Sequence, residues 1–271
     1  MRSEIKQYAG DFLLRNHHLL RLFMRDRHAV YSCPGGKIYL NLKESPMMVA
    51  RAFDLYEPAK MAAVRHFLKP GMTFVDVGSN KGDFAFLASR VTGPSGTILC
   101  FEPEPENCHW IRKSIELNGY KNIRLCELAL SDRDGMAKLY LGRKSGWHTL
   151  LSGQQRSDAG TILVRAATLD SILAKLSIAH VDVMKVDVEG AELQVLEGAR
   201  KTLGANPNIV LFLDVHPRMG VNPKQVGSVL TKMGFSIHAM DHPLDGPMEV
   251  TEHLREVVAY RTPDAQPKRI D

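Results

Sequence analysis

Cysteine is scarce in this chain and its spacing suggests no pairing. Of 271 residues only Cys33, Cys100, Cys108 and Cys126 are cysteine, with no CxxC and no histidine at zinc-ligand spacing. That excludes a disulfide-knit scaffold and a zinc ribbon. Cys100 and Cys126 fall in apolar, strand-like runs, where cysteine serves as a small hydrophobe, and the pattern implies a reducing, cytoplasmic setting. Long apolar runs are missing too: none reaches the roughly 18 residues of a membrane span. The apolar stretch over residues 12–24 is broken by Arg15, His17, His18 and Arg21, so it does not make a signal-peptide core. No fixed-period repeat and no low-complexity tract occurs, which excludes solenoids and disordered tails as the main architecture. Charge of one sign is in slight excess only, +5 with His neutral, so an acidic ligand is permitted but a polyanion is not demanded.

What is present is ordinary globular composition, 44% hydrophobic and 24% charged. Residues 1–70 read as an N-terminal elaboration. Residues 12–24 predict an amphipathic helix with Phe12, Leu13, Leu19, Leu20, Phe23 and Met24 on the apolar stripe, packed on the domain or on a second copy in a homo-oligomer. A turn at 34–36, a strand at 37–42 and a helix at 58–68 follow. Residues 71–261 then alternate: strands at 72–77, 97–101 and 123–128 are separated by helices at 82–91 and 105–117, the order of a parallel sheet with both faces covered. An insertion over about 133–168 predicts a hairpin-like pair of strands at 136–141 and 161–166. After a helix at 168–176 the sheet resumes with strands at 181–186 and 209–215, helices at 191–203 and 223–233, and final strands at 235–240 and 255–260. The tail 262–271 has little to bury.

The chemistry concentrates where the first buried strand meets its helix. Asp76 ends the strand, and Gly78, Ser79, Asn80, Lys81 and Gly82 make the turn. Glycines let the backbone turn sharply and let a ligand approach it, and the N–H groups that open the helix face that ligand. A dinucleotide loop of the form GxGxxG needs glycine where this chain has Asn80 and Asp83, so a pyrophosphate is not indicated. Glu102 closes the next strand, 24 residues beyond Gly78, where a carboxylate accepts from both hydroxyls of a ribose. Turn and acid together point to a nucleoside with an amino-acid arm, S-adenosylmethionine.

Four stretches carry a family resemblance: Tyr56-Glu57-Pro58; the loop from Val75 to Phe84; Phe101-Glu102-Pro103 followed by Ala129-Leu130-Ser131-Asp132; and Met184-Lys185-Val186-Asp187-Val188-Glu189-Gly190-Ala191-Glu192. From about Tyr39 to Tyr260 the chain resembles the FkbM family of S-adenosylmethionine-dependent methyltransferases. The resemblance implies a class I methyltransferase (Rossmann-like) α/β fold, a seven-stranded, mostly parallel sheet with its last strand antiparallel, and methyl transfer to an oxygen. It implies cofactor contacts from Glu57, Pro103, Ala129, Leu130 and Asp187 beside those of the loop. Lys81 and Asp83 depart from the common loop form, which is apolar or aromatic there.

Methyl transfer needs an acceptor held about 3 Å from the methyl carbon and, for a hydroxyl, a group to take its proton. In an open parallel sheet such groups gather beyond the C-terminal strand ends. Lys185, Asp187 and Glu189 sit at one such end, Asp214 and His216 at another. Two readings stay open. His216 acts as general base with Asp187 or Glu189 orienting it, its ordinary pKa near 6.5 suiting the task; or Asp187, Glu189 and Asp214 bind a divalent cation that acidifies the acceptor. The Asp-Asn pair of catechol-type enzymes is missing after the later strand, which favours the metal-free form. Lys185 reads as the ion partner of a neighbouring acid. Trp147 and His148 lie in the insertion, placed to fold over the acceptor. A nucleic-acid acceptor is disfavoured, because no (Asp/Asn)-Pro-Pro-aromatic motif follows the strand at Asp187 and no basic sheet studded with aromatics is visible. Intact acids at 187 and 189 argue against a non-catalytic binding protein, leaving a small-molecule hydroxyl acceptor.

Overall fold

The computed structural model describes residues 2–18, 26–142, 147–151 and 160–261, with side chains from residue 8 onward. Helix α1 (Arg2–Arg15) leads to a hairpin of β1 (Ala29–Cys33) and β2 (Gly36–Leu40), then to helices α2 (Pro46–Ala52) and α3 (Pro58–Phe67). The central sheet collects β3 (Thr73–Val77), β4 (Thr97–Phe101), β5 (Ile123–Cys126), β9 (Val183–Val186), β10 (Val210–Asp214), β11 (Ser236–Ala239) and β12 (Glu256–Tyr260). Its order is β11-β12-β10-β9-β3-β4-β5. Neighbours from β10 to β5 run parallel; β12 is antiparallel to both its neighbours. The chain therefore turns back at β3, and the crevice between β3 and β9 is the switch point of strand order.

Side-chain alternation explains the two cores. In β3, Val75 and Val77 face one layer with Leu99, Phe101, Met184 and Leu211, under α6 (Leu169–Leu176), α7 (Glu192–Gly198), α8 (Arg200–Ala205) and α9 (Pro223–Lys232). Phe74 faces the other layer with Ile98, Cys100, Val183 and Phe212. There α4 (Asp83–Thr92) and α5 (Pro105–Asn118) pack together with Ile38, Leu40, Met48, Val64 and Phe67 of the N-terminal segment. Asp76 shares the face of Phe74, and its register partner on β9 is Lys185. A second sheet joins β6 (Ala129–Leu130) to β8 (Thr161–Ala167), and β8 to β7 (Gly135–Tyr140). Among the described residues no helix is long and apolar enough to cross a membrane.

Several elements differ from the sequence reading. The helix expected over 12–24 can be followed only to residue 18: α1 runs Arg2–Arg15, residues 17–18 are again helical, and residues 19–25, like the tail 262–271, lie outside the described residues. Phe12 points outward, 61% exposed, while Leu13 and Leu14 meet the core. The strand Ala29–Cys33 is unforeseen because only one of its five side chains is buried and only its pairing with β2 defines it. The helix expected at 191–203 is two helices separated at Ala199. A Cβ on Gly198 would come 1.9 Å from the Ser131 carbonyl oxygen, so the chain presses flat there. The Asp170 carboxylate accepts from the N–H groups of Lys201 at 2.9 Å and Thr202 at 2.8 Å, opening the second helix.

Candidate active site

The C-terminal ends of β3, β4 and β9, with β6 and the β7–β8 sheet, border an open cleft of about 760 Å3, its solvent-filled mouth included. Of the residues expected to hold the cofactor, Gly78, Ser79, Asn80, Glu102, Pro103, Ala129, Leu130 and Asp187 line it. Gly78 has φ +75, and a Cβ there would lie 1.9 Å from the Asp187 carbonyl oxygen. Only glycine lets β3 and β9 close so tightly at the crevice. Glu102 is 5% exposed and accepts from the N–H groups of Asn80 at 2.7 Å and Glu104 at 3.0 Å. Burial outweighs these bonds and pushes its carboxyl up to about 7. A buried carboxylate at the cleft wall, with Phe101, Leu128, Leu130 and Leu139 beside it, is a donor set suited to a nucleoside: sugar hydroxyls to the acid, base to the apolar wall.

Asp76 and Gly82 act from beneath. Asp76 is fully buried, 3.4 Å from Lys185 Nζ. Lys185 Nζ also donates to the Gly78 carbonyl at 2.9 Å and lies 3.6 Å from Asp187, so one cation ties the turn to the acid at the end of β9. Gly82 backs onto the Phe86 ring and precedes the helix. Glu57 does not line the cleft; its neighbour Tyr56 does. The departures at 81 and 83 find their counter-charges in the N-terminal segment: Lys81 meets Glu44 at 3.1 Å, and Asp83 meets Arg51 at 2.7 Å.

Asp187 and Glu189 line the cleft, and His216 stands behind them with its side chain 21% exposed. His216 Nε2 lies 3.7 Å from Asp187 Oδ1 and 3.9 Å from Glu189 Oε2. Its orienting partner, however, is Glu192, whose Oε1 is 2.5 Å from Nδ1. Glu192 opens α7 and is fully buried; the sequence placed it in the right stretch but gave no sign that the turn at Gly190 would fold it back. Burial alone would lower the pKa of His216, but the bond to Glu192 and the charges of Asp187 and Glu189 push it up to about 9. The ordinary value expected from sequence is therefore replaced by that of an imidazolium at neutral pH. Asp187 is held below its usual range; burial opposes this, and the cations Lys185, Lys60 and His216 prevail. Glu189 adopts φ +50, and the hydroxyl of Thr149, from the insertion, donates to its carbonyl at 2.7 Å.

Among the described residues two groups bring candidate metal ligands within 4.8 Å of one another: Asp187, Glu189 and His216, and Glu57, Asp187 and Asp214. The trio Asp187, Glu189 and Asp214 does not form one. In the second group Lys60 already sits among the acids, 2.6 Å from Asp214 and 2.9 Å from Glu57. Lys60 is 2% exposed and was missed from sequence; a lysine on a short amphipathic helix carries no signal of its buried fate. Burial and Asp187 push Asp214 up to about 7 despite Lys60. His148 lines the cleft; Trp147 does not, and instead its backbone and Cβ cover Gly142.

The family described as Methyltransferase FkbM domain matches residues 76–237. The 2-O-methyltransferase NoeI of Sinorhizobium fredii is 30% identical over 153 residues, 50% of this chain and 60% of that protein. This chain thus spans about three-fifths of that relative's length. The hexuronic acid methyltransferase AglP of Haloferax volcanii is 28% identical over 59% of this chain and 62% of its own length. The 31-O-demethyl-FK506 methyltransferase FkbM of Streptomyces tacrolimicus is 26% identical over 72% and 83% respectively. A crystal structure of an FkbM methyltransferase from Methylobacillus flagellatus KT aligns with a TM-score of 0.47 and 13% identity, covering 79% of this chain and 65% of that one.

Proposed function

Because this chain belongs to the FkbM methyltransferase family, we propose that it is an S-adenosylmethionine-dependent O-methyltransferase whose acceptor is a hydroxyl on a sugar or a natural-product scaffold. The observation that carries the reading is the buried Glu102 carboxylate on the cleft wall, beside the Gly78 turn and across from Asp187. Relatives named for a 2-O and a 31-O position support oxygen as the acceptor atom, and one named for a hexuronic acid supports a sugar.

The cofactor, when bound, supplies a methyl group on a sulfonium. The residues of the chain do the rest. Glu102 accepts from the sugar hydroxyls, and Ala129, Leu130 and Pro103 cover the base. Asp187 and Glu189 face the acceptor. His216, behind these two acids, receives the acceptor's proton on Nε2 by way of Asp187 or Glu189, with Nδ1–H held on Glu192 so that Nε2 faces them. His148 and Leu150, from the β7–β8 sheet and its loop, wall the cleft from water.

Calorimetric titration with S-adenosylhomocysteine and with NAD tests the cofactor. The nucleoside is expected to bind and NAD is not; the reverse would overturn the reading. Glu102→Gln is expected to weaken S-adenosylhomocysteine about tenfold or more, the loss of hydrogen bonds to a charged acceptor. Its sign with pH is also set. Glu102 is neutral below about 7 and ionised above it, and the carboxylate accepts from two hydroxyls more strongly than the neutral acid does. Affinity should therefore rise through that value in the wild type and stay level in Glu102→Gln.

A further inference from the structure

The cleft holds one more polar feature that this mechanism leaves unused. Arg51, on α2, is 2% exposed, yet it lines the cleft beside Tyr56, Gly78 and Asp83. Its guanidinium is fixed from two sides. Nε–H donates to Asp83 Oδ2 at 2.7 Å, and the Tyr56 ring centre lies 3.7 Å from Cζ. Nη1 is buried and has no hydrogen-bond partner. A buried N–H group on a permanent cation is left without a partner in very few folded proteins, and where one occurs on a cleft wall a ligand acceptor is the natural partner. The planar fork, with Nε already engaged, suits a carboxylate oxygen approaching Nη1.

Position says which carboxylate. Asp83, which holds Arg51, is the first residue of α4, directly after the Gly78–Gly82 turn. Arg51 thus sits at the Asp83 end of that turn, in the same cleft wall as Tyr56 and Asp187, whereas Glu102 is bonded to the Asn80 N–H. A ligand with its sugar on Glu102 and its reacting atom near Asp187 brings an amino-acid arm past Arg51. Resting on the cofactor reading, we propose that Arg51 Nη1 receives the α-carboxylate of S-adenosylmethionine. The N-terminal segment, outside the matched residues 76–237, then completes the cofactor site, and its counter-charge at Asp83 explains the acid at that loop position.

The test compares S-adenosylhomocysteine with 5′-methylthioadenosine, which lacks the amino-acid arm, by calorimetry on the full chain. Arg51→Gln is expected to weaken S-adenosylhomocysteine about ten- to a hundredfold and to leave 5′-methylthioadenosine unchanged. An Arg51→Met, Asp83→Asn double variant removes the buried acid with its partner, so no lone charge is left inside; it should show the same selective loss, with melting curves confirming a folded chain. Unchanged S-adenosylhomocysteine binding in both variants overturns the proposal and leaves Arg51 to an acidic acceptor. Equal weakening of both nucleosides overturns it as well. A wild-type chain that binds neither nucleoside removes the cofactor reading itself.

Discussion

His216 shows how far a residue's surroundings reset its chemistry. From sequence it is a histidine of ordinary basicity after a strand; in place it has three carboxylates around it, Glu192 at 2.5 Å, Asp187 at 3.7 Å and Glu189 at 3.9 Å. Its pKa, up at about 9, gives a signed expectation. A base must be neutral to take a proton, so kcat/KM should climb with pH and level off only above about 9. Glu192→Gln removes the strongest support of the charged form and should move the inflection down, toward the ordinary value near 6.5. His216→Ala should lower kcat by about 10²–10⁴. A pH profile that ignores the Glu192 change would assign the proton to another group. The same logic is legible only in part: Asp187 and Glu189 stand two residues apart just past a buried strand, whereas in sequence Glu192 is like any acid in the first turn of a helix.

At the scale of elements, periodicity located almost every strand and helix of the domain, because buried strands and amphipathic helices write their burial into their spacing. It failed at the helix expected over 191–203, where the apolar stripe continues across Ala199 although the hydrogen-bond ladder does not. The break has a long-range cause, since both Ser131 and Asp170 come from other elements. Asp170→Ala should therefore cost about 1 kcal/mol, the usual value of a lost helix-capping carboxylate, seen as a lower midpoint in urea unfolding. A change indistinguishable from zero would mean that the second helix is held by packing alone. In the N-terminal helix the apolar stripe holds at Leu13, which meets the core, and fails at Phe12, which is 61% exposed.

For the molecule as a whole, the N-terminal segment and the sheet share one core, with Ile38, Met48, Val64 and Phe67 packed on Phe74, Ile98 and Phe212. Lys60 adds a charged tie, from α3 to Asp214 on β10 at 2.6 Å and Glu256 on β12 at 3.6 Å. Removing one partner of such a buried group strands the others, at a cost of about 3–5 kcal/mol. Lys60→Met should show that loss in denaturant unfolding, and Lys60→Met with Asp214→Asn should recover part of it. Equal midpoints for wild type and the single variant would show that the tie contributes nothing to folding.

The sequence by itself determined the order of strands and helices, the turn at Gly78 and the acid at Glu102, because each is a local demand: a period, a positive φ, a residue at a strand end. The tertiary structure alone decided the partners. Arg51 meets Asp83, Lys81 meets Glu44, Lys60 meets Asp214 and His216 meets Glu192. The residues of these pairs lie between 24 and 154 positions apart. A charge carries no mark of the distant opposite charge that will neutralise it; only packing two layers against one sheet brings the two within reach, and burial then makes their pairing matter.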